Sequence, residues 1–442
     1  MPKTLVSIIP YEKPFFSVSR AVLSCQGLKY MPSAARVFIK PNIVFWTKAC
    51  TFPKWGVITT SRVVEDMVVL LKEHGISDIT IGEGIILQPG DVETPVHAFK
   101  TLGYEALKKH YGVKIVDVMS RPFKEVNLGD GIKLNFNCDI LESDFLVDLP
   151  VMKAHNLTKV SLGLKNLKGL IDMGSRKTCH NPDPEKNLHY HIARLFDPMP
   201  PALNLIDGIY SLERGPGFDG KMRRSNILVA SADLLSADLV GAKLLGYDPS
   251  SVPHLALALK RSNRPADLSD IEVVGESIEE TAAFHQYSFD YAKSEAYELP
   301  LPLAKQGLEG IFFRKFDDTI CTYCSTLIGV ILASLRQAWQ GERWPGVEVL
   351  TGKKMEPAKG MDYTILIGQC MHRKNRDHPH IRKCLAVKGC PPKAADVIRA
   401  FNEAGIPVNS YLFDQVDMLP GFFMDRYRDN PDFDESFFRV NK

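Results

Sequence analysis

Hydrophobic and polar positions repeat along this chain with two periods. Between residues 36 and 84 a short apolar run, VFIK, leads through a loop into SRVVEDMVVLLKEHG and then DITIGEG. In the middle segment Val64, Met67, Val68 and Leu71 fall at i, i+3, i+4 and i+7, which is one face of a helix, and Gly75 ends it. The flanking runs are short and bounded by turn residues, as buried strands are. Similar runs recur at VKIVDVM (114–120), FLVDLPV (145–151), NLIDGIY (204–210) and NILVASA (226–232), and SADLVGAKLLG follows the last as a helical stretch. Strands alternating with helices predict an α/β fold with mostly parallel sheets flanked by helices.

The pattern restarts after a stretch rich in proline, glycine and charge, EAYELPLPLAKQGLEG (295–310), which places a domain boundary at 300 and gives domains 1–300 and 301–442. The second domain is expected to hold a helix after Cys324, strands VEVLT (347–351) and YTILIG (363–368), and a helix over 394–404 closed by Gly405. The tail beyond 415 is aromatic and acidic, suited to wrapping the body or meeting a partner.

Composition narrows the classes. With 45% hydrophobic and 24% charged residues, the 442-residue chain is globular rather than disordered. Lys plus Arg (54) against Asp plus Glu (52) leaves +2, without the basic excess of a nucleic-acid binder. The first residues, MPKTLVSIIPYEKP, lack a signal-peptide core, and the longest apolar run, 326–335, is too short for a bilayer. A soluble cytoplasmic protein that binds no nucleic acid and no membrane is expected.

Cysteine distribution adds chemistry. Of nine cysteines, Cys25, Cys50, Cys138 and Cys179 are scattered, whereas Cys321, Cys324, Cys370, Cys384 and Cys390 crowd into 70 residues. An odd number without a secretory signal argues against a disulfide framework. The C-T-Y-C spacing lets Cys321 and Cys324 turn toward one centre, Cys370 follows the strand YTILIG, and Cys390 sits in a G-C-P-P loop. Those four thiolates are the expected ligands of a [4Fe–4S] cluster, with Cys384 as a spare that is able to replace one of them. A redox pair, structural zinc and inert buried thiols are the alternatives. Around them Arg373, Lys374, Arg376, Arg382, Lys383, Lys388 and Lys393 face a single acid, Asp377, in 371–393. This is either a solvated loop or a dock for an acidic electron carrier such as ferredoxin.

A second constellation lies at VMKAHNLTKVSLGLKNLKGLID (151–172). Read as a helix from Thr158, it carries an apolar stripe (Val160, Leu164, Leu167, Ile171) beside a polar one (Ser161, Lys165, Lys168, Asp172). Lys153 and His155 precede it at a strand-to-turn junction, the usual place for an α/β site. Such a group grips an anionic small molecule, while His155 moves protons and a lysine acts as base or nucleophile. Lys40 and Asn42 around Pro41, Glu83 in G-E-G, and Asp207 with Arg214 are further strand-end residues expected to converge there. Cys179, His180, His189 and His191 offer a weaker metal site. No nucleotide-binding loop is present: TGKK (351–354) lacks the earlier glycine, and there is no G-x-G-x-x-G.

The ordered motifs IKPN, IGEG, DLPVMKAHNLTKVSLGLKNLKG, IDGIYSLERGPGFDG and NILVASADLLSADLVGAKLLG resemble the family called domain of unknown function 362, over roughly residues 35–260. The resemblance implies an α/β domain of the kind found in anaerobic bacteria and archaea, often with iron–sulfur ligands appended. More distantly the same region resembles the N-terminal domain of the nickel-pincer lactate racemase. There a lysine tethers the cofactor and histidines exchange the proton; the matching pair here is His155 and Lys165. The racemase's arginine–lysine signature is Leu164-Lys165 in this chain, and His180 stands for the second histidine. The leading expectation is an iron–sulfur redox protein that passes electrons to, or reduces, an anionic small molecule or cofactor. The rivals are a non-redox isomerase or lyase acting on a hydroxy or keto acid, with His155 and Lys165 catalytic, and a metal- or cluster-delivery protein.

Overall fold

The computed structural model describes residues 3–86 and 91–441. They form two compact units, one of Met1–Arg176, His189–Ser288 and Pro420–Lys442, the other of Lys177–Leu188 and Phe289–Leu419.

In the first unit the strands are β1 (Thr4–Pro10), β2 (Val37–Pro41), β3 (Ile79–Glu83), β4 (Lys114–Asp117), β5 (Phe123–Gly129), β6 (Ile132–Asn137), β7 (Phe145–Leu149), β8 (Val151–His155), β9 (Lys159–Ser161), β10 (Ala202–Glu213), β11 (Lys221–Ser231) and β12 (Ile271–Gly275). A ten-stranded sheet runs β12-β1-β11-β10-β7-β2-β3-β4, with β8 on β10 and β9 on β8, and β5 and β6 form a separate hairpin. The pairs β10–β7, β7–β2, β2–β3 and β3–β4 are parallel. Only β11 breaks this core order, running antiparallel to β1 and β10. Every residue of β2 and β7 is buried, as expected for strands covered on both faces. The helix Ser61–Glu73 starts where the Thr60 side chain accepts the Val63 N–H, and it ends at Gly75, whose φ of 79° suits glycine. The fold is α/β, as the periodicity predicts.

The second unit holds β13 (Tyr291–Lys293), β14 (Tyr297–Pro300), β15 (Ile311–Phe313), β16 (Val347–Leu350), β17 (Tyr363–Ile367) and β18 (Cys384–Val387), in that order across one sheet. From β14 to β18 all neighbours are parallel. The helix expected after Cys324 is Thr322–Ala338 and starts two residues earlier, so Cys321 is its N-cap and Cys324 lies in its first turn.

Two expectations change, and one left open is decided. The division falls between 288 and 289 rather than at 300, because β13 and β14 pair with each other and belong to the second sheet. The stretch read as linker is thus partly strand. The aromatic tail returns to the first unit, where Phe433 stacks on Tyr210 and contacts Trp55, and Phe437 meets Tyr11. Finally, no single helix runs from Thr158. The segment is β9, a one-turn helix Gly163–Asn166 and a 3-10 turn Leu167–Leu170. Hairpin pairing of β8 with β9 and the Asp238 carboxylate, which accepts the N–H groups of Gly163 (2.7 Å) and Leu164 (2.8 Å), override the helical period. Among the described residues no helix is long and apolar enough to cross a membrane.

Candidate functional site

Strand order brings polar residues from distant sequence to the C-terminal ends of β2, β3 and β7. Lys40 on β2 stands opposite Asp148 on β7, and Asp148 stands opposite Asn204 on β10. Lys40 Nζ pairs with Glu83 Oε1 at 2.8 Å and donates to the Pro41 carbonyl at 2.7 Å. Glu83 also accepts the N–H groups of Ile43 and Gly84, at 2.7 Å each. Asn166 Nδ2 donates to Asp148 Oδ1 (2.7 Å) and to the Lys40 carbonyl (3.2 Å), while its Oδ1 accepts from Asn42 Nδ2 (2.9 Å). Gly169 closes the group so tightly that a methyl there would lie 2.6 Å from both Glu83 Oε1 and Lys40 Cε. Arg176 locks this cover by donating to the carbonyls of Gly84 and Gly169, 2.9 Å each. The expected wall of Lys40, Asn42 and Glu83 does assemble, but as a buried, internally paired network. Lys40 and Glu83 neutralise each other away from solvent, so neither faces an open anion pocket.

Lys153 is the next layer. It is buried on β8 and donates to Asn42 Oδ1 at 2.6 Å and to the Val57 carbonyl at 3.0 Å. Burial pulls its amine down to about 7, against the pull of Glu83 and with that of Lys40. Lys165 keeps part of its surface exposed, yet desolvation, with Lys168 and Lys153 nearby, holds its amine well below the usual lysine range. His155 shares the face of Lys153 by strand alternation, and its Nδ1 accepts the Leu157 N–H at 3.0 Å. Asp148 is pushed well above the carboxylate range by burial, and Asp238 up to about 7 for the same reason. Arg214 engages Gln286 instead, at 3.4 Å, and Asp207 accepts the Thr60 N–H at 2.7 Å.

The residues read as a weaker metal site are divided between the two units. Cys179 and His180 belong to the second unit, whereas His189 and His191 belong to the first, where His189 stacks on His254 with ring centroids 6.1 Å apart. Among the described residues, no three His, Cys, Asp or Glu side chains are grouped to hold a single metal ion.

In the second unit the cysteines follow strand ends. Gly368, at the end of β17, precedes the helix Gln369–Asn375 that carries Cys370. The loop after β18 is tied to the same turn, since Gly368 N–H donates to Val387 O (2.8 Å) and Gln369 N–H to Gly389 O (3.1 Å). This brings Cys390 alongside Cys370. The Cys324 sulfur lies against Gly368, 2.9 Å from where a β-carbon would stand. The hydrogen bond between Cys321 and Cys324 draws the Cys321 thiol down, helped by N–H groups of the first helical turn, and drives Cys324 up; Cys370 and Cys390 also act on Cys324. Cys384 sits on β18, packed against the cluster of Leu350, Leu366 and Met371, and burial pushes its thiol up.

Residues 37–243 match the family Domain of unknown function (DUF362). The DUF362 region starts at β2 and stops within the helix Leu234–Leu244, so it contains the Lys40–Glu83 network, Lys153, Lys165 and Asp238 but not the clustered cysteines. Thylakoid-associated protein sll1697 of Synechocystis sp. is 24% identical over 225 residues, 50% of this chain and 66% of that relative's length, slightly under two thirds of it. Among solved structures, the lactate racemase apoprotein from Thermoanaerobacterium thermosaccharolyticum is 17% identical with a TM-score of 0.33, over 55% of this chain and 57% of its own. A Thermotoga maritima protein is 10% identical with a TM-score of 0.34, over 77% and 71%.

Sequence reasoning missed Asp148, Asn166, Asp238 and His254. Asp148 had a signal, an acid inside the otherwise apolar run FLVDLP. Asn166 hid among lysines of a supposed helix, and His254 stands alone in an ordinary amphipathic helix, Pro253–Arg261.

Proposed function

We propose that the second unit holds one [4Fe–4S] cluster on Cys321, Cys324, Cys370 and Cys390, and that the protein is a redox protein which delivers electrons to, or reduces, a small molecule handled by the lysine and histidine residues of the DUF362 region. The observation that carries this reading is a packing contact: the Cys324 sulfur lies against Gly368, whose turn leads into the helix of Cys370 and is hydrogen-bonded to the loop that leads to Cys390. A four-iron cubane is larger than a single ion, so its four thiolates need not be grouped as tightly as single-ion ligands. When bound, the cluster supplies one-electron chemistry. The chain's own part is to present four sulfurs from strand ends and to surround them with positive charge. Arg373, on the helix that carries Cys370, and Lys388 and Lys393, on either side of Cys390 in sequence, are exposed, and cations around an anionic cluster favour its reduced form. The same face fits an acidic electron carrier.

The test is anaerobic purification with iron and sulfide analysis and low-temperature EPR. Four irons and four sulfides per chain are expected, falling by more than half in Cys321→Ser, Cys324→Ser, Cys370→Ser and Cys390→Ser and unchanged in Cys384→Ser. Equal iron in wild type and Cys321→Ser would overturn the assignment.

A second reading, non-redox chemistry in the first unit, is favoured by the amines themselves. Lys153 and Lys165 are held below the ordinary lysine range by burial. Uncharged amines serve acid–base or covalent chemistry better than they grip anions. Turnover without reductant would select this reading.

A further inference from the structure

We propose that the cleft between the C-terminal tail and the loop before the helix Ser61–Glu73 binds a small primary amine, an ammonium group carried on an apolar body. The inference uses neither the cysteines nor Lys153 and Lys165, so it stands apart from both readings above.

The cavity there has a volume of about 630 Å³, within the range of about 300–1,000 Å³ usual for small-molecule sites. Its walls come from residues 51–55 and 421–435, all in the first unit. The floor is aromatic. Trp55 and Tyr427 are buried, and Phe433 lies against both, with ring centroids 5.3 and 4.5 Å away and planes inclined by 66° and 59°. The polar ends of two rings are already taken. Trp55 Nε1 donates to the Asp434 carbonyl at 3.2 Å, and Tyr427 Oη accepts the Met222 N–H at 2.9 Å. The floor therefore offers a ligand apolar surface and π faces, which attract cations and apolar groups.

The charge on the walls selects the cation. Three carboxylates, Asp425, Asp429 and Glu435, line the cavity with one guanidinium, Arg428. Arg428 pairs with Asp425 at 2.5 Å, and Lys54 from the adjoining loop pairs with Glu435 Oε2 at 2.7 Å. Asp429 is exposed and has no ion pair among the described residues, so one negative charge is left over. The Glu435 side chain is 33% exposed, yet its Oε1 is covered and has no hydrogen-bond partner among the described residues. A donor brought into the cavity supplies what this oxygen lacks. A primary ammonium answers both needs: it carries one positive charge and three N–H donors, while its apolar part lies on the rings. An alcohol of the same shape leaves Asp429 unbalanced, and a quaternary ammonium has no hydrogen to donate.

The test is isothermal titration calorimetry of the full-length protein at pH 7 with phenethylamine, its uncharged isostere 2-phenylethanol and the anionic 3-phenylpropionate. One phenethylammonium per chain is expected, bound at least tenfold more tightly than the alcohol, with no binding of the carboxylate. Phenethyltrimethylammonium, which keeps the charge without an N–H, is expected to bind at least threefold more weakly than the primary amine. This series needs no variant to fold. Asp429→Asn removes the unbalanced charge at an exposed position, and asparagine tolerates the φ of 60° there. It is expected to weaken phenethylammonium at least threefold and to leave the alcohol unchanged. No binding of phenethylammonium, equal affinity for the alcohol, or unchanged affinity in Asp429→Asn would overturn the site. A trimethyl derivative that binds as tightly as the primary amine would overturn the ligand class.

Discussion

At the scale of single residues, Asp238 shows how burial and hydrogen bonding compete. Its carboxylate takes two backbone N–H groups and Asn204 Nδ2, at 2.7 to 2.9 Å, which favour the charged form, yet desolvation outweighs them and pushes it up to about 7. The unfolded chain releases this proton near ~3.9. Between these values the folded state binds more protons than the unfolded one, so this group's contribution to stability is full below about 4 and is lost as pH rises through about 7. Asp238→Asn keeps one acceptor oxygen and strands a donor, which costs about 1–3 kcal/mol at pH 4. The gap between variant and wild type is expected to narrow toward pH 7, as read by urea unfolding at each pH. Comparing the two proteins cancels the other groups titrating there, His285 and Asp207 among them. A gap that widens with pH would contradict the assignment. Lys40, Asn42, Glu83 and Lys153 were legible because each is polar at the end of an apolar run. Their pairing was not, since Lys40 meets a residue 126 positions away in Asn166.

At the scale of elements, most strands and the helices Ser61–Glu73, Leu234–Leu244 and Ala394–Glu403 fall where periodicity predicts them. Segment 158–172 does not. Its apolar spacing fits a helix, but Gly163 and Gly169 are there for close approach rather than for chain freedom. Gly163 lies against Asn204 and Asp238, Gly169 against Glu83 and Lys40. Gly169→Ala is therefore expected to destabilise the protein by about 2–4 kcal/mol, because the new methyl must separate a buried ion pair with no room to move. A helix at this position would instead make alanine stabilising by nearly 1 kcal/mol. Thermal or urea unfolding of this one variant distinguishes the two local structures by the sign of the change.

For the whole molecule, charge distribution matters more than net charge. The +2 balance of the chain conceals an exposed basic face in 371–393, where Lys374, Arg376 and Arg382 pair with Glu356, Asp377 and Asp362 while Arg373, Lys388 and Lys393 have no ion pair among the described residues. On the proposed redox reading, the triple variant Arg373→Glu, Lys388→Glu, Lys393→Glu is expected to slow electron exchange with an acidic ferredoxin by about tenfold or more at low salt. In 0.5 M salt the difference should largely vanish, and iron content should not change. Stopped-flow absorbance of the cluster reads both, and a salt-independent rate would remove the basic face from partner docking. The sequence by itself determined the α/β class, the strand ends that carry polar residues and the crowding of cysteines after 320, because burial periodicity and residue chemistry are local properties. Tertiary structure decided which of these meet. Only the parallel order of β7, β2 and β3 turns Lys40, Glu83, Asp148 and Asn166 into one closed network, and only the adjacency of β17 and β18 sets Cys370 beside Cys390 and leaves Cys384 aside. These are long-range pairings fixed by backbone hydrogen bonding across a sheet, and no local pattern encodes them.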